Sequence, residues 1–245
     1  PAMAENSPPE LSVALPAYLE AANLRSLLPE IRSTLERMHI SFEILVIDTQ
    51  TPLDETPSVC AENGVVHLAR IGGNLYSHAV KTAIRSSSGD WLIMMDADGS
   101  HPPSLIPDLW SRRKDADLVI ASRYVQGGET ENPFMLILLS RIVNVIFRLV
   151  LRLPCSDVSN SFRLYCGQDV RRLDLTCENF DVVEEILVKL MVSSDNYRID
   201  EVPFTFRKRK EGQSKRKLVM FAFGYLSTLW KLSRMAHAAR KDSSA

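Results

Sequence analysis

The chain has 245 residues, 29 Lys and Arg against 30 Asp and Glu, a formal net charge of -1, 45% apolar residues and 24% charged ones. Those proportions exclude a disordered or collagen-like chain and leave ample apolar surface for a core. The near-zero charge argues against a general nucleic-acid binder, so no nucleic-acid partner is expected.

Residues 1–10 read as a tag remnant, Pro1-Ala2-Met3-Ala4, and a flexible N-terminus with no signal peptide after it. Leu11 to Leu15 is a strand, and Leu24, Leu27, Leu28, Ile31, Leu35 and Met38 recur at helical spacing. Glu43 to Ile47 and Val65 to Leu68 read as further strands, and Ala79 to Ser88 as a helix. Trp91 to Met95 is a solid apolar run, as a strand buried on both faces requires. Pro102 and Pro103 open a helix carrying Leu105, Ile106, Leu109 and Trp110, and Leu118 to Ala121 is another strand. This alternation of strand and helix predicts an α/β domain with a mainly parallel sheet flanked by helices.

The second half changes character. Phe134 to Leu153 predicts a very apolar helix with a narrow polar stripe of Ser140, Asn144, Arg148 and Arg152, and Arg141 beside it. A polar loop, Cys155 to Ser161, follows, then a helix over Phe180 to Met191 and an edge strand over Val202 to Phe206. Arg207 to Lys217 holds seven basic residues and one acid, Glu211, before a final amphipathic helix from about Leu218 to Met235. Basic residues beside wide apolar faces suit an anionic membrane surface, with a core or subunit interface as the competing use of Phe134 to Leu153. No uninterrupted apolar stretch reads as long enough to span a bilayer. The four cysteines form no C-x-x-C pair and, with five scattered histidines, complete no zinc pattern; they read as reduced thiols.

Ligands of open parallel sheets collect at the carboxyl ends of the strands. There the chain places Pro16-Ala17-Tyr18-Leu19-Glu20, then Asp48, then Asp96-Ala97-Asp98-Gly99-Ser100-His101. Asp96 and Asp98 at a strand end put two hard carboxylates near one cation, which suits Mg2+ or Mn2+ on a substrate phosphate. Ser100 is a candidate further oxygen ligand, and His101 reads as a loop residue rather than a ligand. Arg123, Arg163 and Arg209 are candidate phosphate clamps. No glycine-rich dinucleotide fingerprint, P-loop or G-x-S-x-G elbow occurs, which argues against a dehydrogenase, a P-loop NTPase or an α/β-hydrolase.

At these residues the chain resembles family-two glycosyltransferases of the GT-A fold, the dolichyl- and polyprenyl-phosphate mannosyltransferases among them. Leu15 to Glu20 resembles the L-P-x-Y-N-E nucleotide loop, and Gly89-Asp90 with Trp91 to His101 resembles "GD…mDADxSHPP". Ala121 to Tyr124 with Gly127-Gly128 resembles "GSRY…GG", and Asp157 to Tyr165 resembles the acceptor motif "D-x-T-x-S-F-R-L-Y". Arg209, Gly212, Ser214 and Lys215 match a late "R-x-x-G-x-S-K", and Glu185 matches the acid five residues after an aromatic, Phe180.

The resemblance implies a GT-A domain over 11–217, with a nucleotide-binding half at about 11–125, an acceptor half at about 126–217 and a C-terminal amphipathic helix and tail at 218–245. It implies that Pro16, Tyr18, Glu20 and Asp48 hold the nucleotide of a nucleotide-diphosphate sugar, with Arg209 on a phosphate. Asp96, Asp98 and Ser100 would hold Mg2+ or Mn2+; Ser122, Arg123, Ser161 and Arg163 would hold the phosphate of a polyprenyl-phosphate acceptor. The implied enzyme is an inverting, metal-dependent hexosyltransferase, peripheral on the cytosolic membrane face or held there by a membrane-anchored partner. A soluble phosphorylated acceptor and a catalytically silent nucleotide-sugar-binding subunit are the alternatives. The chain departs from the family pattern around the donor: Leu19 stands for Asn, Thr49 for the second acid of "D-D-G-S" with Gln50-Thr51-Pro52-Leu53 unlike the usual turn, and Leu75 and Ser77 for the glycines of "G-L-G-x-A". An active enzyme with an unusual donor is the expectation.

Overall fold

The computed structural model describes residues 7–194, 196–206 and 228–237. Strand β1 (Leu11–Pro16) is buried at every residue. Helix α1 (Ala21–Arg37) follows and buries Leu24, Leu27, Leu28, Ile31 and Leu35, the periodic apolar set. The alternation continues through β2 (Phe42–Asp48), α2 (Thr56–Glu62), β3 (Val66–Ala69), α3 (Tyr76–Ser86) and β4 (Trp91–Met94). A 3-10 turn at Pro103–Leu105 leads into α4 (Ile106–Arg112) and then β5 (Leu118–Ser122). The second half comprises β6 (Glu129–Thr130), α5 (Phe134–Leu151), β7 (Arg163–Cys166), α6 (Gly167–Arg171), α7 (Val182–Ser193), β8 (Ile199–Pro203) and β9 (Thr205–Phe206). Residues 228–237 are helical; the rest of the expected C-terminal helix and the basic run with Arg209 lie outside the described residues.

Seven strands form one sheet in the order β3-β2-β1-β4-β7-β5-β8. Neighbours run parallel except at β7, which is antiparallel to both β4 and β5. That central antiparallel strand has no counterpart in the sequence reading. It is four residues long and begins with a buried arginine, so it lacks the apolar run that marks its neighbours. The expected edge strand at Val202 to Phe206 is also divided: β8 ends at Pro203, and β9 pairs separately with β6.

Side chains alternate between two cores, as a sheet covered on both faces demands. Val13, Leu15, Ile93 and Val119 face the layer of α1, α2 and α4. Ala14, Leu92, Met94 and Ile120 face the layer of α3, α6 and α7, which Leu232 and Ala236 also join. Chain order reverses between β1 and β4: β2 and β3 lie on one side of β1, and the chain returns through α3 to the other. The carboxyl ends splay apart there and open a crevice. Gly89 sets how closely β4 can enter beside β1, because a Cβ there would sit 2.6 Å from the Ser12 nitrogen.

Helix α5 turns only part of its polar stripe inward, Ser140 and Asn144, while Arg148 and Arg152 are exposed. Asn144 is buried and accepts a hydrogen bond from the Val158 N–H at 2.6 Å, while Ser140 bonds the Tyr124 hydroxyl at 2.7 Å. Phe147 and Leu151 join the core, and many of the helix's other apolar residues face out, with Phe134 73%, Val145 53% and Leu149 71% exposed. Arg152 adopts a left-handed φ of 55° and ends the helix at Leu151, two residues before the expected boundary. The expectation of no bilayer-length stretch needs correction: this 18-residue helix, of mean hydropathy 2.2, is long and apolar enough by length and composition. All four cysteines are free thiols, and burial pushes Cys155 and Cys177 up to about 12.

Candidate active site

The segments after β1, β2 and β4 are tied together at the crevice. The Ala17 N–H donates to the Ile47 carbonyl at 2.9 Å, and the Met95 N–H to that of Ala14 at 3.1 Å. Past β4, Asp96 is partly exposed to the cleft and Asp98 is 4% exposed. Gly99 has φ +78°, a left-handed turn that glycine adopts without steric cost. The turn brings the Ser100 N–H and hydroxyl onto Asp98 Oδ1, at 3.0 and 2.5 Å. Ser100 therefore braces Asp98.

His101 is fully buried and stacks on Phe162 with ring centroids 4.9 Å apart. Its Nδ1 accepts the Asp96 N–H at 2.9 Å. Burial pushes its pKa down, against the opposing pull of Asp96 and Asp98, so the ring is neutral. The loop histidine of the sequence reading is a support for Asp96.

The loop after β1 and its neighbours form a connected rim. Pro16 ends β1 in the core, Tyr18 is 41% exposed, and Glu20 accepts from Asn23 Nδ2 at 2.6 Å. Asp48 is 1% exposed; Oδ1 takes the Thr49 N–H at 2.7 Å and Oδ2 lies 3.2 Å from His67 Nε2. It braces the turn after β2 instead of presenting an open carboxylate. Arg70, absent from the expected site, is 5% exposed and spans the rim, donating to the carbonyls of Ala17 and, at 2.6 Å, Asn74. Its signal was its place just after a strand end.

The acceptor motif lies across the crevice. Ser161 Oγ donates to Asp96 Oδ1 at 3.0 Å, joining this segment to the loop after β4. Arg123 forms a two-pronged pair with Asp157, Nε to Oδ2 and Nη2 to Oδ1 both at 2.7 Å, and reaches Ser159 Oγ at 3.0 Å. Two expected phosphate ligands are placed elsewhere. Arg163 is wholly buried, donating to the carbonyls of Val183 at 3.1 Å and Val158 at 2.5 Å. Ser122 is wholly buried too, accepting from the Tyr124 N–H at 3.3 Å. Arg163 supports the 155–161 segment from behind through Val158, and β7 and β5 carry both residues into the interior of the sheet.

Glu185 likewise braces. Desolvation by burial would raise its pKa, but N–H donors from Thr176 and Cys177, with Lys189 and the Thr176 hydroxyl, bring it to about 2. Its neighbour Glu184 instead lines a cavity with Tyr76, Asp96, Ser159, Ser161 and Phe180. Sequence reasoning passed over Glu184 and Tyr76, since neither follows a strand nor matches the family pattern.

Among the described residues, no three His, Cys, Asp or Glu converge as a metal cage. Two hard carboxylates at one strand end fit a Mg2+-like ion that keeps waters and takes its other ligands from substrate phosphates.

Residues 12–173 match the family model described as glycosyl transferase family 2. A dolichol-phosphate mannosyltransferase of Pyrococcus furiosus is 32% identical over 232 residues, covering 92% of this chain and 64% of its own length. The chain thus spans under two thirds of that relative. The dolichol-phosphate mannosyltransferase of Saccharomyces cerevisiae is 28% identical, over 84% of this chain and 80% of the relative. Among solved structures, glucosyl-3-phosphoglycerate synthase from Mycobacterium tuberculosis, in complex with Mn2+, uridine diphosphate and phosphoglyceric acid, has a TM-score of 0.72 at 17% identity. That match covers 92% of this chain and 78% of the other. At that identity the likeness shows a shared fold.

Proposed function

The chain belongs to glycosyl transferase family 2, and from that premise we propose that it moves a hexose from a nucleotide-diphosphate sugar to a polyprenyl phosphate. The observation that carries this reading is the hydrogen bond from Ser161 of the acceptor motif to Asp96 of the D-x-D pair. It supports a reading in which the acceptor and the diphosphate would lie one side chain apart. The mannosyltransferase names of the relatives support the same class of acceptor.

In this reading Pro16, Tyr18 and Glu20 line the nucleotide, with Asp48 fixing the turn beneath it. Asp96 and Asp98 would hold Mg2+ or Mn2+, which would neutralise the departing diphosphate. A phosphate monoester is already anionic near neutral pH, so it needs positioning more than deprotonation. Arg123, oriented by Asp157, and Ser161 supply that positioning, while Arg163 supports the loop. A phosphate oxygen attacks the anomeric carbon opposite the leaving group; the new C–O bond forms as the C–O bond to the diphosphate breaks with its electron pair. Configuration therefore inverts.

The outward apolar face of α5, with exposed Arg141 and Arg148, supports attachment to the cytosolic face of a membrane. The donor loop is rebuilt, which supports a donor other than the family's common one. Thr49 donates its hydroxyl to the Thr51 carbonyl at 2.7 Å, and Ser77 donates to that of Glu178 at 2.6 Å.

The test is a donor screen. The full chain is incubated with Mn2+ or Mg2+, a short polyprenyl phosphate and a panel of GDP- and UDP-sugars, with mass spectrometry of the lipid. One donor should add one hexose to the lipid phosphate. No product from any donor, with nucleotide binding intact, refutes the reading, and preference for GDP-mannose refutes the altered donor.

A further inference from the structure

The departures from the family pattern at residues 75–77 build a wall. Tyr76 stacks on Phe180, ring centroids 4.6 Å apart and planes at 21°. The adjacent Ser77 hydroxyl ties α3 to the Glu178 carbonyl at 2.6 Å. The C-terminal helix supports the same segment from outside, Thr228 donating to Asp181 at 3.2 Å. In front of the stacked pair lies the cavity bounded by Asp96, Ser159, Ser161 and Glu184. Glu184 is only 3% exposed, in the first turn of α7, so its carboxylate is held in place and poorly screened by water.

This cavity touches the diphosphate side through Asp96 and the acceptor side through Ser159 and Ser161. In a transfer reaction the group between those two sides is the glycosyl unit. Its walls have matching chemistry: aromatic surface for the C–H face of a pyranose, and a fixed carboxylate able to accept from two neighbouring hydroxyls. Resting on the family reading above, the geometry points to this cavity as the glycosyl pocket, with Glu184 as its specificity-determining residue for a neutral hexose. A uronic acid would bring a second carboxylate against Glu184 in a site of low dielectric, and like charges there repel.

Calorimetry with Mn2+ on the full chain and on Glu184→Gln tests this without any acceptor. The probes are UDP, UDP-glucose and UDP-glucuronate, with GDP, GDP-mannose and GDP-mannuronate as the second base series. The free diphosphate should bind both proteins equally, which also shows that the variant is folded. The neutral nucleotide hexose should lose about tenfold in affinity in Glu184→Gln, as expected when a charged acceptor becomes a neutral one. The uronate should bind the wild type more weakly than the hexose, and the gap should close in the variant. Equal hexose affinity in the two proteins, or a uronate bound by the wild type as tightly as the hexose, overturns the pocket assignment alone. A wild type that binds no nucleotide diphosphate in either series overturns the family reading of the site and the pocket with it.

Discussion

The backbone N–H of Asp96 donates to Nδ1 of His101 at 2.9 Å, and the imidazole Nε2 stands 3.8 Å from the same residue's Oδ2. A neutral ring accepting at Nδ1 carries its proton on Nε2, so one buried imidazole fixes the chain and faces the carboxylate of Asp96. His101→Ala should raise the Mn2+ concentration needed for half-maximal turnover severalfold while leaving nucleotide affinity without metal unchanged. A purely structural role would change both together. Metal titrations of activity and of nucleotide binding make the distinction.

Asp98 is the buried member of the pair, braced by Ser100. Asp98→Ala should reduce turnover by at least about 100-fold, the usual scale for losing a main electrostatic contributor, with an unchanged circular dichroism spectrum. Chelation should abolish wild-type activity, and added Mn2+ or Mg2+ should restore it. A silent binding subunit would show neither loss.

Leu19 sits at φ 59°, in the left-handed region, and is 48% exposed. A non-glycine side chain there costs about 1–2 kcal/mol, and asparagine tolerates the conformation better. Leu19→Asn should therefore stabilise the fold by about 1 kcal/mol, raising Tm by about 2–4 °C for a domain of this size. Thermal unfolding checks it.

Glu185 has a folded pKa of about 2 against an ordinary value of 4.5. A depressed carboxylate stabilises the fold above its unfolded pKa, and that contribution is lost as pH falls through the folded value. Wild-type stability should thus decline from about pH 4.5 toward about pH 2, and Glu185→Gln should flatten this limb. Denaturant titrations across that range measure it. Glu185→Ala should cost about 2–4 kcal/mol, because the Thr176 and Cys177 N–H groups lose their acceptor.

Helix α5 should bind vesicles containing anionic lipid, and do so less as salt rises. Leu149→Glu, at a residue 71% exposed, should weaken vesicle co-sedimentation at least about tenfold without changing Tm. Unchanged binding would remove the case for attachment through this face.

In the parallel half of the sheet β1, β2 and β4 were legible because they are mostly buried and rich in apolar residues, as at Trp91 to Met95, and the more exposed β3 because of its place in the alternation of strand and helix. Strand β7 was not, because Arg163 opens it and its burial depends on distant carbonyls at 158 and 183. The rule of strand ends brought Tyr18, Asp48, Asp96 and Asp98 to one crevice. It could not separate residues that face the cleft from those that brace it. Arg163 braces through the Val183 carbonyl, Glu185 through the Thr176 and Cys177 N–H groups and Ser122 through the Tyr124 N–H, and only the fold shows that these side chains turn inward. Glu184 escaped notice for the opposite reason: only the fold places it opposite Tyr76 and beside Asp96.

The most direct test of the account is a comparison of acceptors. With the best donor and Mn2+ or Mg2+, a short polyprenyl phosphate and the matching free polyprenol are offered separately in detergent, and 3-phosphoglycerate in buffer. A hexosyl product is expected from the polyprenyl phosphate and none from the alcohol. Transfer to the free alcohol, or to 3-phosphoglycerate with none to the lipid phosphate, would contradict it.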